Sequence, residues 1–322
     1  MPSYRLNAGS LILDLSSERS FYPDALAELL CAAAMPVAKN FSRPDAEIVF
    51  TESEELSRPA AAPKVFVPED GMVIVDSPSA PEVHTETLSV RLLRDKTPAR
   101  ILVSVLNPKM AERDLKVHLS VVLFKVFFLL DRLMLHAAAV DFRGSVSIFL
   151  GGKGAGKSTT CLSLARAGGT ILAEDRVILK KAGSGFFVSG CGERSRITAK
   201  TERHFFSAPL PLEPIDVEGV FKKQFPAGRF FSSMPYRDYP AERIFFNRVG
   251  ARFRITNLSK GEALINLLRE TKAWHRFAGA EDHRRHLSYL RACVEALPAF
   301  RLELSPDLGE MEKLAAFLGA PL

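Results

Sequence analysis

The run Ile148-Phe149-Leu150-Gly151-Gly152-Lys153-Gly154-Ala155-Gly156-Lys157-Ser158-Thr159 constrains this chain more than any other segment. From Gly151 to Ser158 it fits G-x-x-x-x-G-K-[ST], the phosphate-binding P-loop or Walker A motif. Its surroundings fit too. The strand formers Val146, Ile148, Phe149 and Leu150 precede it, and a helical pattern from Thr160 to Ala167 follows, stopping at Gly168-Gly169. A strand that passes into a helix through glycines lets backbone N–H groups approach an anion, and the helix dipole favours negative charge there. The expected nucleotide cradle is Gly151, Gly152, Lys153, Gly154, Ala155, Gly156, Lys157, Ser158 and Thr159. Lys157 is expected to reach the β- and γ-phosphates, and the Ser158 hydroxyl to sit on Mg²⁺. The competing reading is a glycine-rich turn without a ligand.

The next strand narrows the class. Thr170-Ile171-Leu172-Ala173 reads as a short buried strand ending in Glu174-Asp175. Between Lys157 and Glu174 there is room for one helix and one strand only. If that strand lies near the P-loop strand, its two carboxylates can face the γ-phosphate and its metal. One would help hold Mg²⁺ and the other would accept a proton from an attacking hydroxyl. The alternative is a strand end with two solvated charges. Upstream, His136 lies in Leu135-His136-Ala137-Ala138-Ala139-Val140, and Asp141-Phe142-Arg143-Gly144 turns into the P-loop strand. That hairpin brings His136 toward the nucleotide site, although a histidine among apolar residues is also a common core residue.

These residues carry a resemblance. Leu135-His136, the loop Gly151–Thr159 and Ala173-Glu174-Asp175-Arg176-Val177 together resemble the core of the HPr kinase/phosphorylase family and its wider group, over residues 135 to 179. Ala299–Asp307 resembles the last strand common in the related proteins. The resemblance implies an α/β P-loop core of the HPr kinase/phosphoenolpyruvate carboxykinase type and an ATP-dependent kinase of serine hydroxyls. It implies ATP and Mg²⁺ as cofactors, Lys157 at the phosphates, and Ser158 and Asp175 at the metal. It places Glu174 where the family has its catalytic acid/base, with Asp175 at the second acid and His136 at the family histidine. The chain also departs from the pattern. Glu174 stands for an aspartate, the loop ends in Ser158-Thr159 rather than Ser-Glu, and the family segment Leu-Glu-Ile-Arg-Gly-Leu-Gly is missing, with Gly192-Glu193-Arg194-Ser195-Arg196 its nearest counterpart. A related kinase acting on another protein or peptide therefore fits better than one acting on HPr.

Composition sets the outer bounds. At 322 residues, two domains or one large one are expected. The 43 basic and 37 acidic residues leave a net charge of +6, which suits an anionic nucleotide or an acidic partner and is too small to argue for nucleic acid. Cys31, Cys161, Cys191 and Cys293 lie far apart with no C-x-x-C, as expected of reduced thiols in a cytoplasmic protein. No signal-peptide pattern is seen at the N-terminus. The apolar stretch Leu119–Leu135 is interrupted by Lys125, Asp131 and Arg132, so it reads as part of a buried helix from about Glu112 to Met134, with a membrane-surface role as the lesser alternative. A homo-oligomer accords with the resemblance, and no heptad pattern sets a subunit count.

Residues 1–110 read as a β-rich α+β domain for docking or cover, with strands near Tyr4, Leu11, Ile48, Val65, Val73, Val90 and Leu102 and one helix from about Pro23 to Ala34. Ser57–Pro63 reads as a loop, and Glu69-Asp70-Gly71 and Ser77–Pro81 as turns. Residues 111–322 hold the nucleotide core, with a hairpin after Asp175, an irregular stretch from Pro209 to Pro240, and helices over about 260–271 and 282–297. Lys222, Lys223, Arg229, Arg237, Arg243 and Arg248 are candidates for a charge clamp on a phosphoryl group, Arg243 and Arg248 foremost. His283 and His286 read as a polar helix face, not a metal site. The residues leave three functions open: a kinase with a protein or peptide acceptor, a nucleotide-sensing scaffold, and a small-metabolite kinase.

Overall fold

Branched and apolar residues at alternate positions make the N-terminal third a strand former, because such side chains pack on a pleated surface with one buried face. The computed structural model describes residues 3–8, 11–17, 19, 21–29, 34–36, 44, 46–52, 64–67, 72–75, 82–85, 88–93, 98–106, 119, 127–128, 130–190, 194–217, 219–234, 237–271 and 280–319. The chain divides into two units, Met1–Asp131 with Lys272–Leu287, and Arg132–Thr271 with Ser288–Leu322. The division falls later than the 110/111 expected from sequence, and a return segment joins the first unit.

In the first unit β1 (Ser3–Ala8), β2 (Leu11–Ser16), α1 (Phe21–Leu29), β3 (Ala34–Pro36), β4 (Ala46–Glu52), β5 (Lys64–Val67), β6 (Met72–Val75), β7 (Glu82–His84), β8 (Leu88–Leu93) and β9 (Ala99–Val105) follow in order. The strands form one nine-stranded sheet, β3-β1-β2-β4-β9-β8-β7-β6-β5. Alternation holds where it was expected: Ile48 and Phe50 on β4, Leu88, Val90 and Leu92 on β8, and Ile101, Val103 and Val105 on β9 are buried. On α1, Tyr22 stacks on Phe50 with ring centroids 5.5 Å apart. α1 is shorter than the helix expected over 23–34, since Ala34 opens β3.

The helix expected from Glu112 to Met134 does not reach its predicted end. Leu119, Phe127 and Phe128 are helical, but Asp131 takes a left-handed φ of 59° and Met134 lies in a strand. A continuous apolar run cannot tell a buried helix from a buried strand by periodicity alone, and the left-handed residue is where one gives way to the other. The rest of that helix, the loop at 57–63, both turns at 69–71 and 77–81, Trp274, His275, Cys31 and Cys191 lie outside the described residues.

The second unit contains β10 (Arg132–Leu135), β11 (Ala137–Phe142), β12 (Ser145–Leu150), α2 (Lys157–Arg166), β13 (Thr170–Ala173), β14 (Val177–Ala182), β15 (Gly185–Gly190), β16 (Arg194–Ile197), α3 (Ala199–Phe205), β17 (Ile215–Val217), β18 (Val220–Pro226), β19 (Tyr239–Pro240), β20 (Arg243–Val249), β21 (Arg254–Asn257), α4 (Lys260–Glu270), the last helix residues of α5 (Ala280–Ala296), β22 (Ala299–Leu304) and α6 (Glu312–Leu318). The stretch expected to be irregular from Pro209 to Pro240 holds the β17–β18 hairpin. Its mixture of basic and aromatic residues hides the period of two.

The central sheet of this unit has the order β13-β11-β12-β20-β22-β21. β12 lies between β11, antiparallel, and β20, parallel. The β11–β12 turn is Arg143-Gly144, both with positive φ (58° and 84°), the geometry that matches the strand twist in two-residue hairpins. Across the parallel strands Phe149, Phe245 and Phe300 stand in register. Their rings stack at 5.2 and 5.1 Å, and Phe317 meets Phe300 edge-on at 5.5 Å. Cys161, Leu162 and Leu164 of α2 bury into the same core. Two smaller antiparallel sheets, β10-β14-β15-β19 and β16-β18-β17, complete the unit.

Phe245 is fully buried at the middle of this ladder. Phe245→Ala is expected to cost about 3–5 kcal/mol of stability, read from urea denaturation followed by circular dichroism. A loss below about 1 kcal/mol would show that the ladder does not hold the sheet together.

Candidate functional site

β12 delivers the loop. Its last residue, Leu150, is fully buried, and Gly151 follows with φ 145°. A Cβ at Gly151 would lie 2.6 Å from the Asn247 carbonyl oxygen, so only glycine lets the loop leave the sheet here. The loop ends at Gly156, φ 88°, where a Cβ would strike Leu304 and where α2 begins. Asn247 on β20 donates its side-chain amide to the Thr160 hydroxyl at 3.0 Å, tying the first turn of α2 to the neighbouring strand. The helix N-terminus is thus anchored at three strands and presents free N–H groups.

A cavity of about 390 Å³ opens above this loop. Lys153, Gly154, Ala155, Gly156, Lys157, Ser158 and Thr159 line it, as do His136, Glu174 and Asp175. Gly151 and Gly152 do not line it. Their carbonyls instead accept hydrogen bonds from the Lys157 ammonium, at 3.2 Å for Gly152. Lys157 is nearly buried, and burial lowers its pKa. Its ammonium is held at the mouth of the loop by carbonyls, a contact that an arriving phosphate can replace.

The acidic pair closes the opposite wall. β13 pairs with β11 and so lies one strand away from β12, not beside it. The chain then turns sharply: Asp175 adopts φ 71°, a left-handed conformation that aspartate tolerates better than most residues. The two carboxyls end in different surroundings. Glu174 is buried, and one oxygen, Oε2, accepts from the Ser195 hydroxyl. Its other oxygen, Oε1, is buried with no hydrogen-bond partner. Burial pushes its pKa up to about 7, against the pull of the Ser195 and Ser158 hydroxyls. Asp175 goes the other way. Burial would raise it, but the hydrogen bond and charge of His136, with the charges of Arg196 and Arg176, hold it well below the usual carboxylate range. His136 Nδ1 lies 3.1 Å from Asp175 Oδ1, and Arg196 lies 3.7 Å from Oδ2. Two adjacent acids pushed apart in this way can divide into a proton acceptor and a fixed anion.

Among the described residues no cluster of three or more His, Cys, Asp or Glu side chains could hold a metal by itself. The donor set of Ser158 and Asp175 suits a Mg²⁺ that keeps water and phosphate oxygens as its remaining ligands. The fit rests on an anionic Asp175 and a phosphate cradle facing the same cavity.

Of the six basic candidates only Lys222 lines the cavity. Lys223 binds Glu202, Arg248 pairs with Glu303, and Arg229 and Arg237 lie over the rings of Phe230 and Tyr239. Arg243 is buried at the start of β20, in register with Ser147 and away from the loop. Besides Lys222 and the loop's own Lys153 and Lys157, Arg194 and Arg196 on β16 also line the cavity. Arg-Ser-Arg in a strand puts both arginines on one face and the serine on the other, a period-two signal that could have singled them out. His286, expected on a polar face, is buried edge-on against Phe128. Cys161 and Cys293 are buried free thiols with raised pKa, packing residues rather than reactive ones.

No family model matches the chain. The HPr kinase/phosphorylase of Lactiplantibacillus plantarum is 26% identical over 167 residues, 51% of this chain and 45% of that protein. The chain thus spans about half the length of the curated relative it matches. Among solved structures, the HPr(Ser) kinase/phosphatase from Coxiella burnetii aligns with a TM-score of 0.32 and 9% identity, covering 57% of this chain and 87% of that one.

The raised pKa of Glu174 is a statement about stability. A carboxyl whose pKa rises on folding favours the folded state below its unfolded value near 4.5, and this contribution is lost as pH rises through about 7. Glu174→Gln is therefore expected to stabilise the ligand-free protein by about 3 kcal/mol at pH 8, and by much less at pH 5. Urea denaturation at the two pH values checks this. An equal gain at both would rule out a buried, ionising Glu174.

Proposed function

We propose that this chain, whose curated relative supports an HPr-kinase-related family, is a kinase that transfers the γ-phosphoryl group of ATP to a serine hydroxyl of a protein or peptide. The observation that carries this reading is the meeting of Lys157, Ser158, Glu174 and Asp175 around one cavity. Bound Mg²⁺ neutralises phosphate charge at the transferring group. The residues of the chain do the rest. The N–H groups at the start of α2 and the Lys157 ammonium hold the phosphates, and Ser158 and Asp175 orient the metal. Glu174 takes the proton as the acceptor oxygen forms its bond to Pγ and the bond to the ADP oxygen breaks. Its pKa near 7 suits a group that must accept a proton at neutral pH. His136 and Arg196 keep Asp175 ionised, and Arg194 and Lys222 add positive charge where the phosphoryl group passes. Most of such a rate enhancement is positioning and electrostatics.

The first unit is our candidate for docking or covering the acceptor. Among the described residues the two free thiols, Cys161 and Cys293, are buried, which accords with a reducing, cytoplasmic setting. No helix among the described residues is long and apolar enough to cross a membrane.

The protein is to be incubated with γ-labelled ATP, Mg²⁺ and an extract of its host. A labelled polypeptide is expected, with labelling reduced about 10²–10³-fold by Lys157→Ala and about 10²–10⁴-fold by Glu174→Gln. A labelled small metabolite would replace the protein acceptor with a smaller one. Tight ATP binding without Glu174-dependent transfer would leave a nucleotide-sensing scaffold.

A further inference from the structure

Glu174 carries a long side chain with three torsions, and a carboxylate so placed can point in several directions unless something holds it. We infer that Ser195 is the positioning residue of the site: its hydroxyl holds Oε2 of Glu174, so that Oε1 is the atom that receives the acceptor's proton. This rests on the kinase reading above. Nothing in the motif or the acidic pair points to Ser195; it is the geometry that does.

Ser195 is fully buried in the middle of β16, and its hydroxyl donates to Glu174 Oε2. The Ser158 hydroxyl and the backbone N–H of Arg196 also donate to this carboxyl, which leaves Ser195 as its one side-chain partner outside the loop and the cavity wall. The strand that carries Ser195 and Arg196 is held in place from the other side. Ser195 stands opposite Phe225 in the β16–β18 register, and Phe225 packs edge-on against Phe206 and Phe230 at 6.1 and 5.2 Å. Ser195 does not line the cavity, whereas Glu174 and the two arginines beside Ser195 do. One strand thus divides its work between faces: Arg194 and Arg196 toward the cavity, Ser195 toward the carboxyl behind it.

The remaining oxygen is the informative atom. Oε1 of Glu174 is buried and has no hydrogen-bond partner. A buried acceptor left unmatched is costly and uncommon in a native fold. Here it belongs to a residue that borders the cavity, so an acceptor hydroxyl that displaces the cover over Oε1 on docking supplies the missing donor. In the transfer step the acceptor O–H proton passes to Oε1, the acceptor oxygen bonds to Pγ, and the Pγ–O bond to ADP breaks with its electron pair leaving on ADP. With Ser195 gone, the carboxyl keeps only the Arg196 N–H and the Ser158 hydroxyl as partners, and Oε1 is held less firmly toward the acceptor.

Ser195→Ala, Glu174→Gln and the double variant test this. Initial rates of acceptor labelling in host extract, measured against ATP concentration, give relative kcat and KM for ATP. Ser195→Ala is expected to lower kcat about tenfold or more while leaving KM for ATP and calorimetric ATP affinity unchanged. In the Glu174→Gln background the same change is expected to alter kcat less than about twofold, because the group it positions is gone. An unchanged kcat for Ser195→Ala, or an equal loss in both backgrounds, overturns the role of Ser195 while the kinase reading stands. If the wild-type protein labels nothing, the kinase reading fails instead. Crystal structures of wild type and Ser195→Ala then decide the positioning alone: a Glu174 carboxyl in the same orientation in both overturns it, and a rotated one upholds it.

Discussion

The stacking of Phe149, Phe245 and Phe300 across three parallel strands is the constraint on which the second unit depends. Parallel strands have evenly spaced, slanted hydrogen bonds and need both faces covered. The aromatic ladder supplies much of that cover on the face where α2 packs. It aligns the ends of β12 and β20, and with them Gly151 and Asn247. The loop Gly151–Gly156 leaves the sheet at that level and α2 starts directly after it, so the loop that lines the cavity inherits its position from a hydrophobic register several residues away.

The site then works by contrast. Two acids adjacent in sequence are placed on opposite sides of a left-handed turn. One faces inward to Ser195 and loses its charge more readily, and the other faces His136 and Arg196 and keeps it. Under the proposed kinase reading both environments are needed: the ionised Asp175 to hold a metal and the buried Glu174 to take the proton. The cost of burying Glu174 with one oxygen unmatched is the kind of local instability that active sites carry and the rest of the fold offsets.

Much of this was legible beforehand. The P-loop, the strand before it, the hairpin that carries His136 and the strand that ends in Glu174-Asp175 are local, and each rests on a short pattern with a strong physical reason. The misreadings have equally specific causes. Leu133, Met134 and Leu135 extend an apolar run that looks helical until Asp131 turns left-handed. Ile215–Pro226 mixes lysines and phenylalanines so that its strand period is masked. Arg243 and Arg248 looked well placed because a strand lies between them, yet one is buried at the far end of that strand and the other is taken by Glu303.

By itself the sequence determined that a glycine loop carries a strand into a helix, where it starts, and which acids follow it, because glycine φ freedom, strand-to-helix handover and short spacing are properties of consecutive residues. Only the tertiary structure decided which cations meet the loop and which oxygen of which acid is left open. Arg194, Ser195, Arg196 and Lys222 reach the site through the pairing of β16 with β18 and the meeting of β16 with the end of β13, contacts between segments distant in the chain. The pKa split between Glu174 and Asp175 follows from that meeting. Burial and charge are properties of the space around a group, and no local pattern encodes them.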